Sequence, residues 1–217
     1  MTAYSTKGLN VYLARSTATL VTLTTTAISK AKPAVVTVAS TTGVTAGDVV
    51  KPENTGFTEI DGKTFTVGTV TSTTLVLTGS DTTGSLNSLG ATPSVKITKK
   101  SDMVRLCLSE LTIDPSSTNQ IDAGTFCTDQ TILGKTTLGG ISVSGYLDPS
   151  DAGLDELIKA DDDGLTRAFK IELPSTALGS LVGAVTIAGF SPSTPIEGAI
   201  AFTATGNQSD KIRWVHP

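Results

Sequence analysis

The chain has 217 residues and a net charge of −4, with only 17% charged and 5% aromatic residues. That length suits one sizeable domain, or one domain carrying a small insertion. Thr, Val, Ser and Gly dominate, which favours pleated sheet and tight turns over a helix bundle, and no stripe of Lys and Arg marks a nucleic-acid binder.

The first strands are expected at LNVYLA, residues 9–14, and TLVTLTT, residues 19–25. The texture then changes. KPAVVTVAS, TAGDVVKPE, GKTFTVGTV and TSTTLVLTG are four short strand-like pieces separated by Gly, Asp, Pro and Asn, and they read as a compact inserted β module. Within it Phe65 and Val67 alternate with Thr64 and Thr66, and a short Ser/Thr turn leads to Leu75, the pattern of a half-buried hairpin. SLNSLGATPS, residues 85–94, serves as the return linker. The expected division is therefore a module at 32–90 inserted into a core made of 1–31 and 91–217.

Six further strand-like segments follow: SVKITKK, MVRLCLSELTI, GGISVSGYL, RAFKIELP, LVGAVTIAGF and GAIAFTATG. The fold class is mainly β. One helix interrupts it, in LDPSDAGLDELIKADDDG, where Leu154, Leu157 and Ile158 at i, i+3 and i+4 form an apolar stripe for packing on a sheet. Asp148 before Pro149 fits N-cap then N1, Gly164 fits the stop, and Asp155 to Lys159 is an i,i+4 pair. This stretch holds seven carboxylates and one lysine, a local charge of −6, so the rest of the chain sits at +2.

Asp155, Glu156, Asp161, Asp162 and Asp163 form the candidate acidic surface or interface. The last three lie where the helix dipole disfavours negative charge, so capping does not account for them. A calcium loop with its glycine at Gly164 needs oxygen ligands at Lys159 and at Lys170, and both are lysines, so no metal site is assigned. LGKTT, residues 133–137, ends like a phosphate-binding loop but has Asp129 where the first glycine belongs. His216, the single histidine, stands beside Trp214 near the C-terminus. A nucleophile system is a poor fit there, and the two aromatics are candidates for docking onto a neighbour. No catalytic residue and no cofactor are assigned, and the chain is not read as an enzyme. The shortage of aromatics and histidine speaks against a hydrolase working through paired carboxylates.

Cys107 and Cys127 are too few for a disulfide framework and lack zinc spacing; they are expected to be buried free thiols. The start, MTAYSTKGLNVYLARS, shows neither a basic, apolar leader nor a small-residue cleavage site, and no run of about eighteen apolar residues occurs. Synthesis and retention in the cytoplasm are expected, with no membrane association.

The order of the pieces adds more. YSTKGLNVYLA, SELTIDPSSTNQIDAGTF, GYLDPSDAGLDELIKA with the strand ending in proline after it, the element GxVxxxxFSPSTPIEG and a closing AxTATG together resemble the tail tube proteins of long-tailed, non-contractile bacteriophages, the lambda-like family. The specific part covers residues 109–206. The inserted module resembles a small β domain that recurs in phage structural proteins. The resemblance implies a β-sandwich with one flanking helix that closes into hexameric rings stacked as a hollow tube, a structural virion protein assembled in the bacterial cytoplasm. It further implies tail terminator, tape measure and baseplate or tip proteins as partners, passage of double-stranded DNA without specific binding, and the module on the outer surface. The alternative is a secreted, calcium-dependent carbohydrate-binding or adhesive β module.

Overall fold

The structure, a computed structural model, describes residues 8–122, 131–175, 178–194 and 198–216. It is mainly β, with a single α-helix among the described residues. After a first strand, β1 (Asn10–Ala14), the chain leaves to build one body and then returns to build another. The first comprises β2 (Val21–Ile28), β3 (Ala34–Val38), β4 (Val49–Glu53), β5 (Phe65–Val70), β6 (Thr74–Thr78) and β7 (Ser94–Thr98). These six close antiparallel into a barrel in the order β2-β3-β6-β5-β4-β7. Alternation along each strand turns Val36, Val50, Val67, Leu75, Leu77 and Ile97 inward, all at 1% exposure or less. Phe57 and Ile60, from the β4–β5 connection, join this core, so the barrel is filled by side chains and has no pore.

The inserted unit is larger than the sequence suggests. β2 pairs with both β3 and β7, through Thr25↔Val38 and Val21↔Ile97, and β7 pairs onward with β4. The seams expected at 31/32 and 90/91 therefore move to about 21 and 98. A unit cut at 32–90 would have lost two of its six staves, and alternation inside β2 or β7 carries no signal about which neighbouring sheet receives it.

A 3₁₀ turn at Lys100–Asp102 leads into the second body. Its elements are β8 (Met103–Leu106), β9 (Glu110–Ile113), β10 (Ser117–Asp122), β11 (Thr131–Thr137), β12 (Gly140–Tyr146), α1 (Ala152–Asp163), β13 (Arg167–Glu172), β14 (Ser180–Ser193) and β15 (Ala201–Val215). Seven strands form one antiparallel sheet, β8-β1-β13-β14-β15-β12-β9. MVRLCLSELTI, which reads as one strand, splits at Cys107–Ser109 into β8 and β9, and these take the two opposite edges of that sheet.

The long ribbon β14–β15 converts the sheet into a sandwich. The first part of β14 pairs with β13 over Ser180–Val185, while the first part of β15 pairs with β12 over Ala201–Asn207. Along β14 the ribbon slips register at three places, Val182/Ala184, Ala184/Val185 and Ile187/Phe190. Such bulges bend a strand and raise its twist. One layer is thus β8, β1, β13 and the near end of the ribbon, and the other is β9, β12 and its far end. Leu13, Phe169 and Val185 from the first meet Val143, Ile187 and Phe202 from the second in a single core.

Helix α1 closes the side of this core nearest β8, β1 and β14, with Leu154, Leu157 and Ala160 buried and Ile158 half-buried against it. Its N-cap is Asp151, whose carboxylate accepts from the Gly153 amide at 2.9 Å, rather than Asp148. Asp148 closes the preceding turn, accepting from the Ser150 amide and hydroxyl, and its carbonyl accepts from the Asp151 amide. The helix starts one turn later as a result. Gly153 lets that first turn ride on the β8 backbone, because a Cβ there would stand 2.3 Å from the Arg105 carbonyl oxygen. Gly164 ends the helix at φ +59°, as its position predicts.

Candidate functional site

The helix acids divide into two groups. Glu156 is buried, which corrects its placement on the acidic surface. It faces inward from α1 and accepts from the Ser16 amide at 2.7 Å and from Arg167 Nη1 at 3.0 Å, while Lys159 reaches it at 3.4 Å. Burial pushes this carboxyl up, but the Ser16 amide, Arg167 and Lys159 outweigh burial and hold it below the usual glutamate range. Arg167 is itself only 5% exposed and carries its second nitrogen to Asp163 Oδ2. A buried charge pair of this kind survives only when its remaining donors and acceptors are also engaged, and the Ala14 carbonyl takes a further bond from Arg167.

The acidic run after the helix is likewise used inside the chain. Asp163 accepts from the Leu165 amide as well as from Arg167, and Asp161 accepts from the Phe190 amide at 3.1 Å. These bonds fasten the helix end to the start of β13 and to the bulged part of β14. Asp155 pairs with Lys159 at 2.6 Å in solvent. Asp162 is exposed and, of the three consecutive aspartates, is the one with no partner among the described residues. No three His, Cys, Asp or Glu side chains converge on a common point among the described residues.

Arg167 was not singled out by sequence reading. Its one signal is its spacing of four from Asp163, and that is blurred because the helix ends between them. LGKTT falls in β11, a strand running into the turn before β12, where no helix N-terminus receives a phosphate.

Trp214 belongs to strand β15 rather than to a tail, and His216 follows directly on the last residue of that strand. Trp214 pairs opposite Leu181 in the last rungs of β14–β15, and its indole donates to the Leu178 carbonyl at 2.6 Å. His216 stacks on it with ring centroids 4.8 Å apart. Trp214 remains 54% exposed. Cys107 is a free thiol and exposed, against the expectation of burial, because the three-residue link from β8 to β9 runs along the rim of the sheet. Cys127 lies outside the described residues.

The second body is left open in three places. Among the described residues, β8 and β9 each have a neighbour on one side alone. Between them lies a groove of about 780 Å³ with Leu9, Val11, Leu106, Leu108 and Leu111 along it and Arg105, Glu110 and Asp148 at the rim. Among the described residues, β10 and β11 pair with each other and with no other strand, forming a separate ribbon that leaves directly from β9. A two-stranded hairpin alone is marginal in water, and an unpaired edge is a template for another strand.

The two outer faces of the sandwich differ. The face of the β1–β13 layer is roofed by the barrel. There Lys170, 4% exposed at its side chain, donates to the Gly47 carbonyl at 2.8 Å, and Thr64 donates to Asp210 at 2.6 Å. Asp48, fully buried, accepts from the Thr45 amide and hydroxyl and from the Lys100 amide. Burial holds the Lys170 ammonium below its ordinary value despite Glu172 beside it. The opposite face, from β9, β12 and the far part of the ribbon, is uncovered. Thr112, Thr203, Thr205 and Asn207 are exposed on it and Ser142 and Ser144 half-exposed.

Neither a scan against protein-family models nor a search among curated proteins finds a match to the chain. The functional reading therefore rests on the residues and their arrangement.

Proposed function

We propose that the chain is a structural subunit that polymerises with copies of itself as stacked hexameric rings, forming the tail tube of a long-tailed bacteriophage and the conduit for its DNA. One observation carries this reading: among the described residues, the same chain closes one sheet completely and leaves the other with two free edges, a groove between them and an unsupported ribbon. An edge paired head to tail with the next copy closes into a ring when the rotation permits, and closure removes the aggregation hazard that open edges otherwise carry. The resemblance carried by the motifs from residue 109 to 206 implies the tube and the ring number.

The rival reading, a calcium-dependent adhesive module, would need the acidic turn free for a cation. Two of its three aspartates are instead spent on Arg167 and on the Phe190 amide. The test is electron microscopy of the purified protein alongside light scattering across a concentration series. Rings or long tubes are expected, with a mass that rises with concentration. A monomer at every concentration, with no tube on any grid, would overturn the proposal.

A further inference from the structure

The barrel and the sandwich keep separate interiors. Among the described residues no side chain belongs to both cores, the one built around Leu13, Phe169 and Val185 and the other around Val36, Val50 and Leu77. The hydrogen bonds that join them are few. Lys170 donates to the Gly47 carbonyl, Thr64 donates to Asp210, and the hydroxyls of Thr66 and Ser180 meet at 3.3 Å. Val215 adds an apolar touch under Gly79, where a Cβ would stand 3.1 Å from it. Clefts of about 320 Å³, beside Lys170 and Ser180, and about 200 Å³, beside Ala168 and Ala184, open between the two bodies. The chain enters and leaves the barrel at one place, the Arg15 amide donating to the Asp102 carbonyl. Polar, partly open contacts of this kind leave two bodies free to move on their connections.

We infer that the barrel is a hinged unit that lifts from the sandwich about this paired connection, and that the ammonium of Lys170, buried by docking, is the group that keeps the docked state weak. Lys170 stands on the outward side of β13, between the inward Phe169 and Ile171, so the barrel is what takes it out of water.

The surroundings of that ammonium do not replace the water it loses. The charged and titratable groups facing it are Glu172 on its own strand, Lys100 on the 3₁₀ turn, Asp48 on the barrel and Tyr12 opposite it on β1. Glu172 is shared, taking Lys100 at 2.8 Å and Lys170 at 3.0 Å. Asp48 is spent on the Thr45 and Lys100 amides. An ammonium drawn from water loses more than one carbonyl and half of a carboxylate restore. Burial accordingly holds Lys170 below the ordinary lysine range, whereas the same glutamate raises the more exposed Lys100. A proton held more weakly in the docked state favours the lifted one. Docking is therefore weakest while Lys170 is charged, and it tightens as pH rises through the lowered value toward the ordinary one.

Thiol labelling of the full chain tests this, in a background with Cys107→Ser and Cys127→Ser. Ser180→Cys, at a position 7% exposed beneath Thr66, reports lifting. Ala34→Cys in the barrel and Ala204→Cys in the sandwich core report unfolding of each body. A small maleimide is expected to label Ser180→Cys about tenfold faster than either control, because lifting needs no unfolding. Lys170→Met keeps the buried stem without the charge, and Lys170→Gln serves if that variant fails to fold. Either is expected to slow labelling of Ser180→Cys several-fold and leave both controls unchanged. The ratio of rates with and without Lys170 cancels ionisation of the thiol, and it should fall toward unity between about pH 7 and pH 10. Equal rates at the three reporter positions would mean that the barrel leaves only by unfolding, and would overturn the hinge. Faster labelling in the Lys170 variants, or a ratio that does not move with pH, overturns the part given to Lys170.

Discussion

The barrel and the sandwich are made from the same residue types, yet one closes its hydrogen bonding on itself and the other does not. In the barrel every strand has two neighbours and the interior is sealed by Val, Leu and Ile at near-zero exposure. In the sandwich β8 and β9 have one neighbour each, and β10–β11 stand apart. The difference teaches that openness is a local choice rather than a consequence of composition. It also concentrates the unpaired strand edges of the described residues on the sandwich.

That contrast breaks most sharply if the two bodies are separated. Replacing residues 21–98 by a short Gly/Ser bridge is expected to leave a sandwich that still associates. Replacing 32–90 instead strands β2 and β7 without partners and is expected to give insoluble protein; sedimentation of the two deletions decides. If the second behaves as well as the first, the barrel is not the cooperative unit described here. Next in size is the buried pair. Arg167→Met leaves Glu156 without its main counter-charge and should cost about 3–5 kcal/mol of stability in urea unfolding, whereas Glu156→Leu with Arg167→Met should restore much of that.

A smaller effect separates the bodies by pH. The Glu156 carboxyl is held below its unfolded value, so the stability it contributes is complete above that value and is lost as pH falls through the folded one. Urea midpoints of the full chain should fall on acidification below about pH 4, the ordinary glutamate range, and Glu156→Gln should flatten that fall. An unchanged slope would mean the pair is not ionised as described. The smallest effect concerns Asp162. Asp162→Lys touches no internal bond and should change stability by no more than about 0.5 kcal/mol, whereas Asp161→Lys and Asp163→Lys each detach the helix end. Loss of tube formation by Asp162→Lys at unchanged stability would place that residue at a contact between copies.

Most strands and the helix are legible in the sequence because alternation and the 3.6-residue stripe of Leu154, Leu157 and Ile158 are local patterns. The partnership of strands is not local. β2 and β7 show the same alternation as β1 and β13 but belong to the other body, and in MVRLCLSELTI the link that carries the chain from one sheet edge to the other leaves only a one-residue slip of the alternation, at Ser109 and Glu110. The ribbon β10–β11 is not legible because STNQID has a single apolar residue, Ile121, and so no alternation to tell it from a loop. The acids were legible as a cluster, but their use was not. Whether Glu156 faces solvent or Arg167 depends on eleven residues of chain path, and Asp161 finds its donor in an amide twenty-nine positions away.

The two strands of chain that leave and re-enter the sandwich are tied to each other where they cross, the Arg15 amide donating to the Asp102 carbonyl at 2.9 Å. The two chain connections to the barrel thus lie side by side, while the barrel itself also rests on the sandwich through Lys170–Gly47 and Thr64–Asp210. A foreign domain whose termini lie side by side could be exchanged for it as a cassette, provided that it also covers Lys170 and Asp210, which bond to the barrel.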